Sequence, residues 1–321
     1  MSESRLRWGI LGCARITARG LIPGIQKSRT GSLVGLASRD LAKAQEWAQR
    51  HGIPKTFGDY DELVNHPEID VVYIPLPNEL HKQWVFAAAD AGKHVLCDKP
   101  LALDSHEAEE MVEHCRSKGV LLMEGFMWRH QDRMLELKRQ VDAGELGELR
   151  FIRSSFSFSI DPEDWRLDPE RGGGALWDVG CYGVNAARWI AGAEPEVIRS
   201  FAHFGPSGVD MSLSTILRFP NDVLAAIDCS FEQPFRSSLE VVGTKSRVVA
   251  PLAFLPSPEP ILDRTSDEQT DSVITPFQQP NQYAAMVDGF NASIRAGALI
   301  APAEDGLANM KVLDAILADC S

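Results

Sequence analysis

The chain has 321 residues, 44% of them hydrophobic and 24% charged, enough for two domains at about 150 residues each. Its net charge of −13 repels phosphate backbones and anionic lipid surfaces, which argues against nucleic acid as a partner. No run approaches the roughly 20 apolar residues of a membrane-spanning helix, and the cysteines Cys13, Cys97, Cys115, Cys181, Cys229 and Cys320 lack CxxC or short Cys/His spacing, so reduced thiols in a cytoplasm and no metal site are expected.

Trp8–Leu11 is too short for a secretory leader and reads as a buried first strand ending at Gly12. Leu33–Ala37 reads as a second strand. Asp40 then caps a helix with Leu41, Ala44, Trp47 and Ala48 on one stripe, closed by Gly52. Asp70–Ile74 is a strand, Asn78 caps a helix that stops at Gly92, and His94–Cys97 returns as a strand. Asp104 and Glu107 form a capping box ahead of a helix through Met111 and Cys115, and Val120–Met123 follows as a strand. Strands alternating with such helices imply a parallel, doubly wound sheet over residues 1–124. Beyond it the rhythm changes: Leu149–Ser159, Val197–Phe204, Leu213–Phe219, Val223–Phe231 and Leu239–Ala250 read as strands with few helices between them. Residues 125–321 are therefore expected to form an α+β domain on an open, mainly antiparallel sheet. Pro251–Pro276 reads as a surface excursion, and Asn281–Ala296 and Glu304–Ala318 as helices.

After the first strand, Gly12-Cys13-Ala14-Arg15-Ile16-Thr17 stands where a dinucleotide fingerprint belongs, with Ala14 in place of its second glycine. Gly12 suits the tight turn, Ala14 is small enough for a pyrophosphate to approach, and the following helix offers unpaired N–H groups. By itself this is equally a strand-to-helix turn that holds nothing. At the end of the second strand, where an NAD enzyme carries an acid for the ribose, Ser38 and Arg39 stand instead. A hydroxyl and a guanidinium suit a 2′-phosphate, which favours NADP and leaves NAD possible; the competing reading is a solvated arginine.

Two further stretches, Asp70-Val-Val-Tyr-Ile-Pro-Leu-Pro-Asn78-Glu-Leu-His81 and Cys97-Asp98-Lys99-Pro100-Leu101, resemble the glucose–fructose oxidoreductase/inositol dehydrogenase/MocA (Gfo/Idh/MocA) family. The likeness runs from Gly9 to Glu304-Asp305-Gly306. Glu124-Gly-Phe-Met-Trp-Arg129 and Asp168-Pro-Glu-Arg-Gly-Gly-Gly174-Ala-Leu-Trp-Asp178-Val-Gly-Cys-Tyr182 look most like the branch of D-xylose dehydrogenases and dimeric dihydrodiol dehydrogenases. The resemblance implies a Rossmann domain followed by a substrate-binding and oligomerisation domain. It implies cofactor contacts from Pro75, Leu76, Asn78, His81, Asp98 and Lys99, with Lys99 at the reacting hydroxyl and Tyr182 as the acid/base. Two departures stand out. Asp98 replaces the glutamate of the Glu-Lys-Pro signature, and Arg129-His130-Gln131-Asp132 replaces Arg-x-His-Pro.

The residues themselves agree. Asp178, Tyr182 and Asn185 fall on one face of a helical pattern after Gly172–Gly174. An unperturbed tyrosine, with a pKa of about 10, is a poor base at neutral pH, and an ammonium such as Lys99 stabilises its phenolate. Asp178 would orient a neighbouring hydroxyl, while Trp128, Arg129 and Trp165 would help form the substrate site. On residue type alone, Tyr182 is more often a packing ring, Lys99 a solvated residue and Asp178 a helix-start charge; the resemblance reverses that weighting. The expected activity is hydride transfer between NADP and a hydroxyl carbon of a sugar or cyclic polyol, such as C1 oxidation of D-xylose or D-glucose. The alternatives are dihydrodiol or keto-sugar chemistry with the same residues, or a sensor without turnover. A bare sheet face predicts a homodimer, with a higher oligomer possible.

Overall fold

The computed structural model describes residues 4–255, 257–266, 272–278, 281–297 and 302–320. The apolar run that opens the chain is strand β1 (Leu6–Leu11), buried from Trp8 onward. It pairs in parallel with β2 (Gly31–Ala37) on one side and β4 (Val71–Ile74) on the other. With β3 (Lys55–Phe57), β5 (His94–Cys97) and β6 (Leu122–Glu124) this gives a six-stranded sheet in the order β3-β2-β1-β4-β5-β6. All four residues of β4 are buried, as a strand covered on both faces requires. The order reverses between β1 and β4, so the loops leaving these strands part there and open a crevice at their carboxyl ends.

The helices of this unit start and stop where side chains satisfy the backbone. In α2 (Leu41–His51), Asp40 accepts from Lys43 N–H at 3.1 Å and Gly52 takes φ 67° at the C-cap. At α5 (Ser105–Ser117), Asp104 accepts from Glu107 N–H at 2.8 Å, and Glu107 reaches back one residue further than a capping box predicts, to Leu103 N–H at 3.3 Å. The first helix is interrupted: a π turn at Thr17–Leu21 precedes α1 (Ile22–Lys27). Pro23 lacks an N–H and crowds the carbonyl four residues back, which widens the preceding turn. Asn78 is not a helix cap. Pro77 precedes a short 3-10 turn at Asn78–Leu80, and α4 (His81–Asp90) begins after it without a side-chain cap. Strand β3 and helix α3 (Tyr60–Val64), too short to carry a period, are additional to the expected elements.

By contact the first unit runs to His130 and takes in the segment Asn281–Leu307; Gln131–Pro280 and the stretch from Ala308 form the second. Within the second, α6 (Asp132–Asp142) leads to β7 (Leu149–Ser157), helix α7 (Cys181–Ala191) and the strands β8 (Val197–Phe204), β9 (Asp210–Arg218) and β10 (Leu224–Ser230). The expected single strand Leu239–Ala250 is two, β11 (Arg236–Gly243) and β12 (Ser246–Pro251), turned at Thr244 and Lys245. Thr244 N–H donates to Glu148 O and Lys245 N–H to Leu146 O, so the turn is fixed by a distant loop. The expected surface excursion contains β13 (Ile261–Ser266) and β14 (Val273–Pro276), which extend the sheet edge; residues 256 and 267–271 of that stretch lie outside the described residues. The eight strands run β14-β13-β12-β11-β7-β10-β9-β8, with only β7 and β10 parallel.

One face of this sheet carries α7. A Cβ on Gly183 would lie 2.6 Å from Ile227 and 2.9 Å from the Ser154 hydroxyl, so its absence lets the helix approach the sheet. The other face leaves Phe201, Ile216 and Leu224 exposed. In the first unit α8 (Gln282–Ala296) packs Tyr283 over Gly20 and Gly24 and holds β1 through Trp8 Nε1–H to Asn291 at 3.2 Å. The last helix, α9 (Ala303–Asp319), begins in the first unit and ends in the second. Among the described residues no helix is long and apolar enough to cross a membrane, and no group of three His, Cys, Asp or Glu side chains could hold a metal ion.

Candidate active site

In the first unit, the residues singled out for a cofactor cluster at the carboxyl ends of the parallel strands. Gly12 follows β1 with φ 86°, and a Cβ there would sit 3.0 Å from Leu76, in the loop after β4. The left-handed turn and the close approach of the Leu76 side chain both favour glycine at this position. Cys13, Ala14 and Ile16 are half-buried beside it and Arg15 is exposed. Burial pushes the Cys13 thiol up against the opposing effects of Lys43 and the Ser38 hydroxyl. After β2, Ser38 is buried and its hydroxyl accepts from Asp40 N–H at 3.1 Å, while Arg39 projects exposed. Tyr60 comes close to Gly12 from α3, and burial pushes its hydroxyl up against the opposing charge of Arg39.

After β4, Pro75, Leu76 and Asn78 are buried. His81 is fully buried too, with Nε2 2.9 Å from Leu76 O and Nδ1 3.0 and 3.2 Å from Pro100 O and Leu101 O. Its ring ties the loop after β4 to the loop after β5, so any part it takes in holding a cofactor is through those loops. After β5, Asp98 N–H donates to Ile74 O at 3.0 Å, Lys99 is half-buried, and the Lys99–Pro100 peptide is cis. The Asp98 carboxylate adds to burial in raising the hydroxyls of Tyr73 and Tyr283. Trp128 is fully buried, its ring part of the packing, and Arg129 pairs with Asp305 at the start of α9.

The second unit assembles the other residues. Gly174 N–H donates to Arg166 O at 2.9 Å and Gly173 N–H to Asp168 O at 3.0 Å, folding the glycine run back on residues 166–168. A π turn at Leu176–Gly180 then precedes α7. Asp178 lies in this turn and Tyr182 four residues on, in the first turn of α7, a helical spacing that puts both on one face. Asp178 is paired with Arg166 at 3.1 Å, and Arg166 also donates to Asp164 at 3.1 and 3.2 Å. Trp165 carries guanidinium groups on its ring, those of Arg166 and Arg171 at 5.1 and 5.3 Å from the centroid, so its faces serve cation–π contacts. Tyr182, 5% exposed, packs against Phe156 and Phe254 with ring centroids 5.4 Å away in each case. One turn on, Asn185 is fully buried, and neither amide atom has a hydrogen-bond partner among the described residues. An unpaired buried amide is costly and marks a place for water or a ligand hydroxyl. Arg166, Phe156 and Phe254 were not legible as site residues, because partners that come from other elements leave no local spacing.

Known proteins carry the same two units. Residues 6–126 match the model of an oxidoreductase family with an NAD-binding Rossmann fold, and residues 134–249 match the GFO/IDH/MocA C-terminal domain. The chain is 35% identical to D-xylose 1-dehydrogenase (NADP(+)) 2 of Haloferax volcanii, over 97% of this chain and 96% of that one. It is 36% identical to the trans-1,2-dihydrobenzene-1,2-diol dehydrogenase of Mus musculus, over 75% of this chain and 73% of that one. A 3-ketoreductase from Actinomadura kijaniata, solved with NADP and TDP-benzene, superposes with a TM-score of 0.91 at 28% identity, covering 98% of both chains. With matched models over both domains and a xylose dehydrogenase relative along nearly its whole length, the chain belongs to the Gfo/Idh/MocA family of NAD(P)-dependent oxidoreductases.

Proposed function

We propose that this chain is an NADP-preferring dehydrogenase that oxidises a hydroxyl carbon of a cyclic sugar, with an aldose such as D-xylose or D-glucose oxidised at C1 to a lactone as the first candidate. The observation that carries it is the pairing of Asp178, in the π turn before α7, with Arg166, and the packing of Tyr182, in the first turn of α7, against the stacked rings of Phe156 and Phe254. Residues 1–124 would hold the cofactor and residues 125–321 the substrate. The side-chain-free turn at Gly12 and the exposed guanidinium of Arg39 fit a phosphorylated dinucleotide. Backbone of Gly12–Ile16 would take the pyrophosphate, Ser38 and Arg39 the 2′-phosphate, and Pro75, Leu76, Asn78 and Asp98 the remainder. The bound nicotinamide supplies a hydride acceptor at C4.

Tyr182 takes the hydroxyl proton in oxidation and returns it in reduction. Lys99, which the family resemblance puts at the reacting hydroxyl, would stabilise the developing alkoxide. Asp178 accepts from a neighbouring hydroxyl, and the Asn185 amide offers both a donor and an acceptor to another. Likeness to the 3-ketoreductase and the dihydrodiol dehydrogenase supports a second reading, keto-sugar reduction or dihydrodiol oxidation with the same residues. A sensor without turnover has no use for the Lys99 and Tyr182 pair. A homodimer in the cytoplasm is the assembly and place we assign to it. The test is a panel of aldoses, polyols and dihydrodiols run with NADP and with NAD and followed by the absorbance of the reduced nicotinamide. Turnover of an aldose, faster with NADP, is the expected result; turnover of dihydrodiols alone selects the second reading, and none on any member favours the sensor.

A further inference from the structure

At the start of α6, Gln131 and Arg133 are buried, Arg133 with only 1% of its surface exposed. Arg133 donates from Nη1 to Pro251 O at 2.8 Å, from Nη2 to Leu252 O at 2.7 Å, and from Nε to the Gln131 side-chain oxygen at 2.7 Å. The Gln131 amide nitrogen completes the row by donating to Ala253 O at 3.0 Å. Three consecutive carbonyls are therefore held by two side chains. Between them Leu252 has φ 49°, left-handed for a branched residue without the freedom of glycine, a conformation that persists only where its surroundings over-determine it.

The residue that leaves this clamp is Phe254. Fully buried, it stacks on Phe156 at 5.7 Å and 16° and meets Tyr182 at 5.4 Å and 43°, while Phe156 meets Tyr182 at 5.4 Å and 59°. The hydroxyl oxygen of a tyrosine lies on the axis of its ring torsion, so its position is set by the first side-chain torsion, and rings packed against it limit how far that torsion can swing. We propose that Arg133, with Gln131, is a positioning residue for the proton transfer assigned to Tyr182: its planar fork fixes the carbonyls of residues 251 and 252, which fixes Phe254 against the tyrosine ring. This rests on the reading of Tyr182 as acid/base. A lysine at position 133 keeps the charge and loses the fork, and a leucine at position 254 keeps apolar volume and loses the flat face.

The experiment is a double-mutant cycle. Arg133→Lys and Phe254→Leu are each made in the wild type and in Tyr182→Phe, and kcat, the substrate KM, NADP binding by fluorescence and the thermal midpoint are measured. In the wild-type background each is expected to lower kcat about ten- to a hundredfold with NADP affinity unchanged, as misplacement of a reacting group does. In the Tyr182→Phe background each is expected to cost less than about threefold, because the group being positioned is gone. An equal loss in both backgrounds, or a loss confined to NADP affinity, overturns the inference and leaves the acid/base reading standing. A Tyr182→Phe enzyme of near wild-type kcat overturns the reading itself and the inference with it. Phe254→Leu decides the outcome if Arg133→Lys does not fold.

Discussion

Arg39 stands exposed after β2 while Ser38 beside it is buried and engaged with Asp40 N–H. The guanidinium is thus the group at this loop that can add charge-assisted bonds to a 2′-phosphate. Arg39→Ala should raise the KM for NADP roughly ten- to a hundredfold and leave that for NAD nearly unchanged; equal effects on both, measured on the same substrate, would sink the NADP assignment. At the other centre, Tyr182→Phe keeps the ring and its contacts with Phe156 and Phe254 while removing the hydroxyl. NADP should bind normally and kcat should fall by about 10²–10⁴, the usual contribution of a general acid/base. Lys99→Met should cost at least as much, and the double variant should be far less damaged than the product of the two, since residues acting as a unit are not additive. Retention of more than about a tenth of kcat in Tyr182→Phe would make Tyr182 a packing ring and Asp178 the next candidate.

At the scale of elements, the start of the helix that carries Asp178 and Tyr182 is held by a strand. Asp210, the first residue of β9, accepts from Leu176 N–H at 2.7 Å, and Gly174, at φ 124°, has no room for a Cβ because the Asp210 carboxylate occupies it. Burial raises the Asp210 carboxyl to about 7, more than the hydrogen bonds from Leu176 and Ala175 lower it. Facing it are the thiols of Cys229 on β10 and Cys320 at the end of α9. A folded-state pKa above the ordinary carboxylate value means that the folded chain keeps this proton while the unfolded chain loses it. The stability this group contributes is therefore full at pH below 4 and declines as pH rises to about 7, a change on the order of 4 kcal/mol. Asp210→Asn removes the titration and keeps an oxygen for Leu176 N–H. Its thermal midpoint should fall less than that of the wild type between pH 5 and pH 8, and parallel curves for the two proteins would contradict the buried-acid account. None of this was legible in the sequence. The caps at Asp40, Gly52 and Asp104 were, because each bonds within its own turn. The hairpin at Thr244 and Lys245 was not, since Val241, Val242, Val248 and Val249 read as one apolar run across it. Helix α6 was missed because ion pairs such as Glu136 with Arg139 and Lys138 with Asp142 make its surface read as loop, although Met134 and Leu137 are buried one turn apart. Motifs that bond locally or line strand ends, such as Gly12 and Ser38-Arg39, were visible; partners supplied from another element, such as Arg166 for Asp178, were not.

For the whole molecule, the remaining question is the uncovered face of the eight-stranded sheet. Alternation along β8, β9 and β10 turns Ser200, Leu213, Thr215, Leu217, Ala225 and Ile227 inward and leaves Phe201, Ile216 and Leu224 outward, Phe201 with 82% of its surface exposed. Between these apolar side chains lies a polar network, with Asp228 accepting from Ser155 at 2.6 Å and pairing with Arg236. Eight strands at about 4.8 Å spacing and strand lengths of about 20–25 Å give a face of roughly 800 Å², the share one partner contributes to a standard stable interface. A face of that size with an exposed aromatic side chain and internally paired charges suits a second copy of itself, whose paired charges need no new counter-ions. The chain should run as a homodimer in light scattering at micromolar concentration. Phe201→Asp places a charge on this face without disturbing the core, so it should yield a monomer with an unchanged circular dichroism spectrum and NADP affinity. A wild-type monomer at that concentration, or a Phe201→Asp protein that remains dimeric, would refute association through this face.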